Sequence, residues 1–556
     1  MACSYRGIIW RIGVIALGAL FFIGGVYLFA NWIDMFTRMR GKEMALSPKS
    51  PAYEGWKVSP LPLNFDVYLF NWTNPEDFYV GSGKKPRFEE LGPYRFRENP
   101  DKVDIVWHEQ NNSVSYRKYA AFYFDEANSK GKLTDRVTSV NTVSHGAALQ
   151  ASNGSFFQKS ILRNVLKMYH EDISITKTAN EWIFAGYSDP LVTMGSFVSK
   201  FAHDIVVPFD RVGWLYTRND SSTYDGHFNI YTGLDDLRKM GQIHEWNHKN
   251  HTGIYEGECG RVRGSMGEFF PPNLTPKDTV EIFLQNLCRA VPLDYVQTVK
   301  VHGITAYKYA ATERALDNGT LFPEMKCFCV NGKCEKSGVM NLGPCQYNSP
   351  TYTSFPHFYK ADPSYLEAIE GLSPDPAKHE FYMTLEPNGG VPMDVGGGFQ
   401  ANYLMSPIKG FPPYHNIPRT FIPLMWAEER VRVTPEIASQ IALVPLIVTL
   451  GQVVTGIMFA IGVLLMCWYP TKYMSQLCRD PKSKNALLNP IVISTTRSIA
   501  LTPLRKPQKE VVSLLGFNQG PGGGEMVLQN EDSLKENLLP PPPTTESATA
   551  PDVINR

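Results

Sequence analysis

Apolar residues along this chain fall into three patterns. The first is unbroken: Ile12 to Ala30 is 19 residues without a charge, and Ile441 to Trp468 is likewise uncharged. Written as a helix, the shorter run is about 28 Å long, close to the thickness of a hydrocarbon core. The second pattern is alternation. Leu63, Phe65, Val67 and Leu69 alternate with Asn64, Asp66 and Tyr68, and Phe399, Ala401, Tyr403 and Met405 alternate with Gln400, Asn402 and Leu404. A period of two marks half-buried strands. Asn74-Pro75, Gly92-Pro93, Pro271-Pro272, Asn388-Gly389-Gly390 and Gly396-Gly397-Gly398 punctuate them as turns. The third pattern is helical, with Phe157, Ile161, Val165, Met168 and Tyr169 at helical spacing. Thr178-Ala179-Asn180-Glu181 fits a capping box opening a helix through Trp182, Ile183 and Phe184. Asp189-Pro190 supplies a cap and first-turn proline for a third helix toward Phe201. The patterns predict one strand-rich domain over 37–440 with a helical insert at 155–203. General burial trends place Phe156, Phe157, Trp182 and Phe184 in its core.

The flanks of the unbroken runs orient the chain. Lys472, Arg479, Lys482 and Lys484 follow the second run and predict a cytoplasmic C-terminus. Arg6 and Arg11 precede the first, although Arg38, Arg40 and Lys42 follow it. No small-residue cleavage site ends the first run, so it reads as an uncleaved signal anchor. The expected order is a cytoplasmic N-terminus (1–11), a first span (12–36), an extracellular or lumenal domain (37–440), a second span (441–469) and a cytoplasmic tail (470–556). Asn71, Asn111, Asn153, Asn219, Asn250, Asn273 and Asn318 each open an N-x-S/T sequon, and all lie between the spans. The cysteines sort in the same way. Cys259, Cys288, Cys327, Cys329, Cys334 and Cys345 fall in the outer domain, where an oxidising compartment predicts disulfides of open connectivity. Zinc at Cys327-Phe-Cys329 and Cys334 is the weaker reading there. Cys3, Cys467 and Cys478 sit at membrane edges as candidates for palmitoylation, against the plain reading of buried or lipid-facing thiols.

Composition excludes more than it assigns. Lys plus Arg and Asp plus Glu both number 54, so no net positive charge is available for a broad grip on nucleic acid. His244-Glu245-Trp246-Asn247-His248 spells the zinc-protease motif, whose chemistry requires both histidines on one helix face. The following Lys249-Asn250-His251-Thr252-Gly253 is a poor helix, and no G-x-S-x-G or Walker-type loop occurs. Neither catalysis nor a cofactor is expected. The tail, with Pro540 to Pro543, has a disordered composition. Within it Glu510 with Leu514 and Leu515 forms an acidic dileucine signal of the kind read by clathrin adaptors. That predicts cycling between the plasma membrane and endosomes or lysosomes.

Several blocks, in order, give the chain a family likeness. They are Phe70-Asn71-Trp72-Thr73-Asn74-Pro75-Glu76, Glu90-Leu91-Gly92-Pro93-Tyr94-Arg95, Glu181 through Gly186-Tyr187-Ser188-Asp189-Pro190, Cys327-Phe328-Cys329, Pro356-His357-Phe358 and Gly371-Leu372. Over about residues 8 to 470 the chain resembles the class B scavenger receptors, which include a fatty-acid translocase, a lipoprotein receptor and a lysosomal integral membrane protein. It is similar above all to insect members such as the epithelial membrane proteins. The resemblance implies an α+β ectodomain: an antiparallel β-barrel-like core crowned by a helical bundle at 155–203, with a hydrophobic tunnel toward the membrane. It implies the pairs Cys259–Cys327, Cys288–Cys345 and Cys329–Cys334. Ala185 departs from it, since the family commonly has tryptophan there. The implied partners are fatty acids, sterols, carotenoids or lipoproteins. Candidate contacts on the crown are Lys159, Arg163, Lys167 and His170, with Phe156, Phe157 and Trp182. A solvated helix face is the plain alternative for the basic set. Two other readings are an endolysosomal receptor carrying a protein cargo on the crown, and a two-span ligand-gated channel.

Overall fold

The computed structural model describes residues 2–59, 61, 63–169, 172–198 and 209–479. The chain opens with α1 (Ala2–Met44) and the short α2 (Pro51–Lys57), then forms β1 (Leu63–Trp72), β2 (Phe88–His108) and β3 (Ser113–Phe124). A hairpin of β4 (Arg136–Val140) and β5 (Ser174–Thr178) encloses α3 (Thr142–Ala151) and α4 (Phe156–Met168). A single π-type turn at Glu181–Ala185 precedes α5 (Pro190–Val198). Then come β6 (His227–Tyr231), β7 (Ile243–Trp246), β8 (Val280–Leu284), β9 (Arg289–Val301), β10 (Ile304–Ala310), β11 (Met340–Asn341) and β12 (Thr351–Ser354). One-turn helices α6 (Ser364–Glu367) and α7 (Pro376–His379) lead to β13 (Tyr382–Glu386), β14 (Val391–Gly396) and β15 (Gly398–Met405). After α8 (Pro412–His415), β16 (Thr420–Arg432) runs into α9 (Pro435–Arg479).

Fourteen strands form one sheet in the order β7-β6-β3-β2-β1-β16-β14-β13-β10-β9-β8, with β15, β12 and β11 branching from β16. Its ladders are antiparallel. The two edges, β7 and β8, are brought together by one short segment. Ser265 bridges both Gln242 and Ile282. Its N–H donates to Glu281 O at 2.8 Å, and the Phe283 N–H donates to Ser265 O at 2.8 Å. The sheet is therefore nearly closed, which hides edges that would otherwise pair with other chains. Gly264 is required at that seam: its φ is +94°, and a Cβ would lie 2.9 Å from Glu281 O.

Alternation explains the wall. Phe65, Val67 and Leu69 of β1 are buried, and paired residues on neighbouring strands share their face. The largest core gathers Phe65, Trp72, Phe96, Phe122, Trp182, Tyr403 and Tyr414 around the β1–β2–β16 wall and under the crown. A second core underlies the cysteine-rich lobe. Smaller clusters form beside the ends of α1 and α9, around Leu46 and Trp56 and around Val433 and Ala438.

The two unbroken apolar runs are long helices, with candidate spans at Ile12–Phe36 and Pro435–Trp468. They pack against each other. Gly25 leaves no room for a Cβ, which would lie 2.6 Å from Phe459 N, as expected where small residues let helix backbones approach. Trp32 Nε1 donates to Val448 O at 3.0 Å. Their outer faces are apolar and exposed, Leu20 and Leu464 among them. Two exposed apolar helices of this length make a two-span membrane protein.

The helical insert differs from the pattern-based expectation in three ways. It contains a strand, β5, paired residue by residue with β4. The capping box at Thr178 forms, with Glu181 Oε2 accepting from Thr178 N at 2.9 Å and Thr178 Oγ1 accepting from Glu181 N at 3.3 Å. It opens only one π-type turn, which ends at Gly186 with φ +63°. Helix α3 gave no periodic signal because it buries small and polar residues, Ser144, His145 and Ala148, in place of an apolar stripe.

Candidate functional site

The crown is assembled from the β4–β5 hairpin, α3, α4, the π-type turn and α5. His145 of α3 is fully buried, with one ring nitrogen 3.1 Å from the Tyr403 hydroxyl and the other 3.2 Å from Ser406 O. Burial pushes its imidazole below the usual range, against the bond to Ser406 O, and favours the neutral ring. Helix α4 starts with a full capping box: Ser155 Oγ accepts from Gln158 N, and Gln158 Oε1 accepts from Ser155 N at 2.7 Å. Its lower face sends Leu166 into the core, with Leu162 and Val165 beside it.

The other face of α4 is open. Phe156 is 82% and Phe157 72% exposed. That overturns their placement in the core: the first turn of α4 extends past the body that its later turns cover. Ile161 and Met168, 48% and 63% exposed, also face out. The helical stripe visible in the sequence is thus divided between core and surface. Lys159 is half-buried and Lys167 exposed, and among the described residues neither forms an ion pair. Arg163 is tied to the scaffold, donating through Nε to Gly410 O at 2.8 Å. Trp182 is fully buried, donates through Nε1 to Val137 O at 2.9 Å and stacks on Trp214; it is core, apart from the open face. His170 lies outside the described residues. Ala185 ends the π-type turn in an exposed position. Asp189 caps α5, with Oδ1 accepting from Leu191 N at 2.8 Å. Lys177, unremarked in the sequence, sits 4.6 Å from the centre of the Tyr187 ring.

Two charged clusters lie in the barrel wall. Glu90 Oε2 accepts from Trp426 Nε1 at 2.7 Å and meets His357 Nε2 at 2.5 Å. His379 of α7 stacks flat on His357 at 4.4 Å. Burial works to raise the Glu90 carboxyl, but the bonds from His357 and Trp426 outweigh it and leave it below its ordinary value. Burial, and then the charge of His357, push His379 down to about 4. Elsewhere on β2, Glu98 is buried beside Arg218, whose guanidinium lies against the Phe65 and Phe122 rings at 5.3 and 5.2 Å. Glu98 Oε2, Arg218 Nε and Asp225 Oδ1 are buried without a hydrogen bond. Burial and the charge of Glu429 push the Glu98 carboxyl up to about 7.

The remaining candidates are scattered. The sulfur pairs are Cys259–Cys327, Cys288–Cys345 and Cys329–Cys334, with Cα separations of 5.9, 6.1 and 4.9 Å. Cys467 is exposed on α9, while Cys3 and Cys478 fall in the end turns of α1 and α9. Asn111, Asn153, Asn219, Asn250 and Asn273 are exposed, and Asn71 is half-buried. Asn318 is buried, with Nδ2 donating to Glu335 O at 2.7 Å. His244, Glu245 and Trp246 lie in β7 and His248 in a turn with φ +61°, so the zinc-protease motif has no helix. Glu510, Leu514 and Leu515 lie outside the described residues.

The sequence profile of the CD36 family matches residues 16–473. The chain is 55% identical to Protein peste of Drosophila melanogaster over 98% of both chains. It is 30% identical to Scavenger receptor class B member 1 of Rattus norvegicus, over 77% of this chain and 82% of the relative. It is also 30% identical to Lysosome membrane protein 2 of Homo sapiens, over 72% and 81%. With the nearly closed antiparallel wall, the helical crown and the paired terminal spans already in place, the chain belongs to the CD36 family, the class B scavenger receptors.

Proposed function

We infer that this chain is a receptor that binds lipids or lipoproteins and mediates lipid uptake along an apolar path in its ectodomain. The observation that carries the reading is the open face of α4. Phe156 and Phe157 are exposed at its start, with Lys159 and Lys167 alongside and, among the described residues, without acidic partners. Exposed aromatic rings beside cations suit amphiphiles and the anionic surfaces of lipid carriers. Fatty acids, sterols, carotenoids and lipoproteins are the candidate ligands. No chemistry is required for transfer. Each CH₂ exposed to water costs roughly 0.8 kcal/mol, so a 16-carbon chain faces a barrier on the order of 12 kcal/mol. A protein-walled path removes most of it, and flux then follows the gradient.

The test uses the full chain, purified in a maltoside detergent, with mass spectrometry of the lipid it retains. In cells, uptake of a fluorescent fatty acid should fall about tenfold in a Phe156→Ala/Phe157→Ala variant, equivalent to about 1.4 kcal/mol of lost recognition. Lys159→Ala/Lys167→Ala should lower uptake of anionic ligands and spare neutral ones. No retained lipid, together with unchanged uptake in both variants at equal surface level, sinks the reading. The likeness to a lysosome membrane protein favours a second use of the same face, as the dock for a protein carried to lysosomes. Under either use the receptor cycles between the plasma membrane and endosomes or lysosomes through Leu514 and Leu515, so alanine at both should raise its surface abundance.

A further inference from the structure

Away from the crown, beside the cysteine-rich lobe, lies an open cavity of about 350 Å³. That is the low end of the range for small-molecule sites, about 300–1,000 Å³. Glu313, Leu321, Lys336, Ser337, Lys360 and Asp362 are among its walls. The two sides are joined by Asp362 N donating to Ser337 O at 3.0 Å.

The charges of this cavity are unequally used. Lys336 and Asp362 satisfy each other at 3.1 Å, and Lys336 also donates to Ser364 Oγ at 2.8 Å. Lys360 donates to a neutral carbonyl, Ala311 O, at 3.1 Å and lies 5.3 Å from the centre of the Tyr359 ring, with no ion pair among the described residues. The Glu313 carboxylate has no hydrogen bond or ion pair among the described residues. Its neighbour Arg314 instead pairs with Asp294 and Glu324. Ser337 is 8% exposed, and its hydroxyl is buried with no partner. Among the described residues the cavity therefore offers one cation and one anion without ion-pair partners and one hydroxyl without a hydrogen bond, with no net charge.

The backbone supports a built site. Lys360 has φ +56°, and His357 and Phe358 just before it have +54° and +55°. Left-handed conformations of this kind strain residues with side chains and collect where function holds them. At Lys360 a glycine or asparagine would relieve the strain but remove the cation.

The geometry points to a site for a compact zwitterion whose cationic end is a methylated ammonium and whose other end is an oxyanion. The oxyanion pairs with Lys360 and accepts from Ser337. The methylated ammonium sits at Glu313 with its methyl groups against Leu321, which is 56% exposed. A primary ammonium would need further acceptors, whereas a quaternary one needs charge and apolar contact only. A simple anion or cation would leave the opposite charge unmatched. Phosphocholine carries this chemistry both as a free molecule and as a lipid headgroup. The site does not depend on the lipid path and stands or falls apart from it.

The experiment titrates the full chain, in maltoside micelles, with phosphocholine by calorimetry. Saturable binding is expected, with choline chloride and inorganic phosphate each at least about tenfold weaker. Glu313→Gln and Lys360→Met should each weaken binding about tenfold. Both positions reach solvent, so circular dichroism should show an unchanged fold. Ser337→Ala, which removes only the hydroxyl, should weaken it by a smaller factor. Competition by phosphatidylcholine vesicles assigns the headgroup as source; binding without such competition assigns the free zwitterion. Absence of saturable binding, or binding indifferent to Glu313→Gln and Lys360→Met, overturns the site.

Discussion

Glu90 and Glu98 lie eight positions apart on β2, and the wall treats them in opposite ways. Glu98 is buried, whereas the Glu90 side chain keeps 30% of its surface in water. Glu90 is met by two donors, the indole of Trp426 and the imidazole of His357, and its carboxyl is held below the ordinary value. Glu98 meets charge but no donor to its buried oxygen. Arg218 and Lys118 attract it, Glu429 and Asp225 repel it, and burial with the nearest acid pushes it up to about 7. The difference shows that a partly exposed carboxylate met by two donors stays ionised, whereas a buried one with charges around it but no donor to its inner oxygen is pushed toward neutrality.

The largest expected effect separates the two by pH. Glu98 binds its proton more tightly in the folded chain than its ordinary value of 4.5 allows. The folded state is therefore favoured while Glu98 is protonated, and that advantage is lost as pH rises from about 4.5 through 7. The limiting loss is on the order of 3 kcal/mol. Glu98→Gln should raise stability by about that amount at pH 8 and by less than about 1 kcal/mol at pH 5, read by denaturant unfolding at both values. Equal gains at the two pH values would break the comparison. Under the cycling proposed above, the Glu98 contribution to stability would be larger in an acidic lumen than at a neutral surface.

Glu90→Gln should act in the other sense. It removes charge-assisted bonds to His357 and Trp426, so a loss of about 2 kcal/mol at pH 7 is expected. Because the folded carboxyl is depressed, the contribution of Glu90 is present above 4.5 and fades as pH falls below that value. The variant and the parent should therefore converge only in strong acid. Convergence by pH 6 would mean that the Glu90 carboxyl is not held below its ordinary value.

These pairings explain what the sequence could and could not announce. The spans were legible because an unbroken apolar run has one physical use at that length. The strands at Leu63–Trp72 and Gly398–Met405 were legible by their period of two, although in the second the register shift at Ala401/Asn402 buries Gln400 and Asn402 together with Tyr403 and Met405. Helix α4 was legible by its stripe, but not which part of the stripe would be covered: Leu166 is core and Phe157 is not, and only the neighbouring α3 and the loop at Gly410 decide that. Helix α3 carries no stripe at all. The wall clusters and the zwitterion cavity join residues such as Glu90 with His357, and Glu313 with Lys360, whose proximity is made by the fold. Glu90 and His357 did stand inside the blocks that gave the family likeness, and an acid or a histidine inside such a block was the available signal.

Trp426→Phe is the finest test of the comparison, because it moves Glu90 one step toward the condition of Glu98. A ring is kept against Tyr68, but the Nε1 donor to Glu90 is lost together with part of the packing of a side chain only 2% exposed. The expected cost at neutral pH is about 1 kcal/mol for the hydrogen bond, with a packing loss of about 1–2 kcal/mol beside it. With one of its two donors gone and its burial unchanged, the Glu90 carboxyl should rise, so that stability begins to fall at a higher pH on acidification than in the parent. A cost of that size with no such displacement would mean that the indole serves packing alone and that His357 by itself holds the charge. A displacement of the acid limb toward neutral pH would show that two donors, not one, separate Glu90 from Glu98.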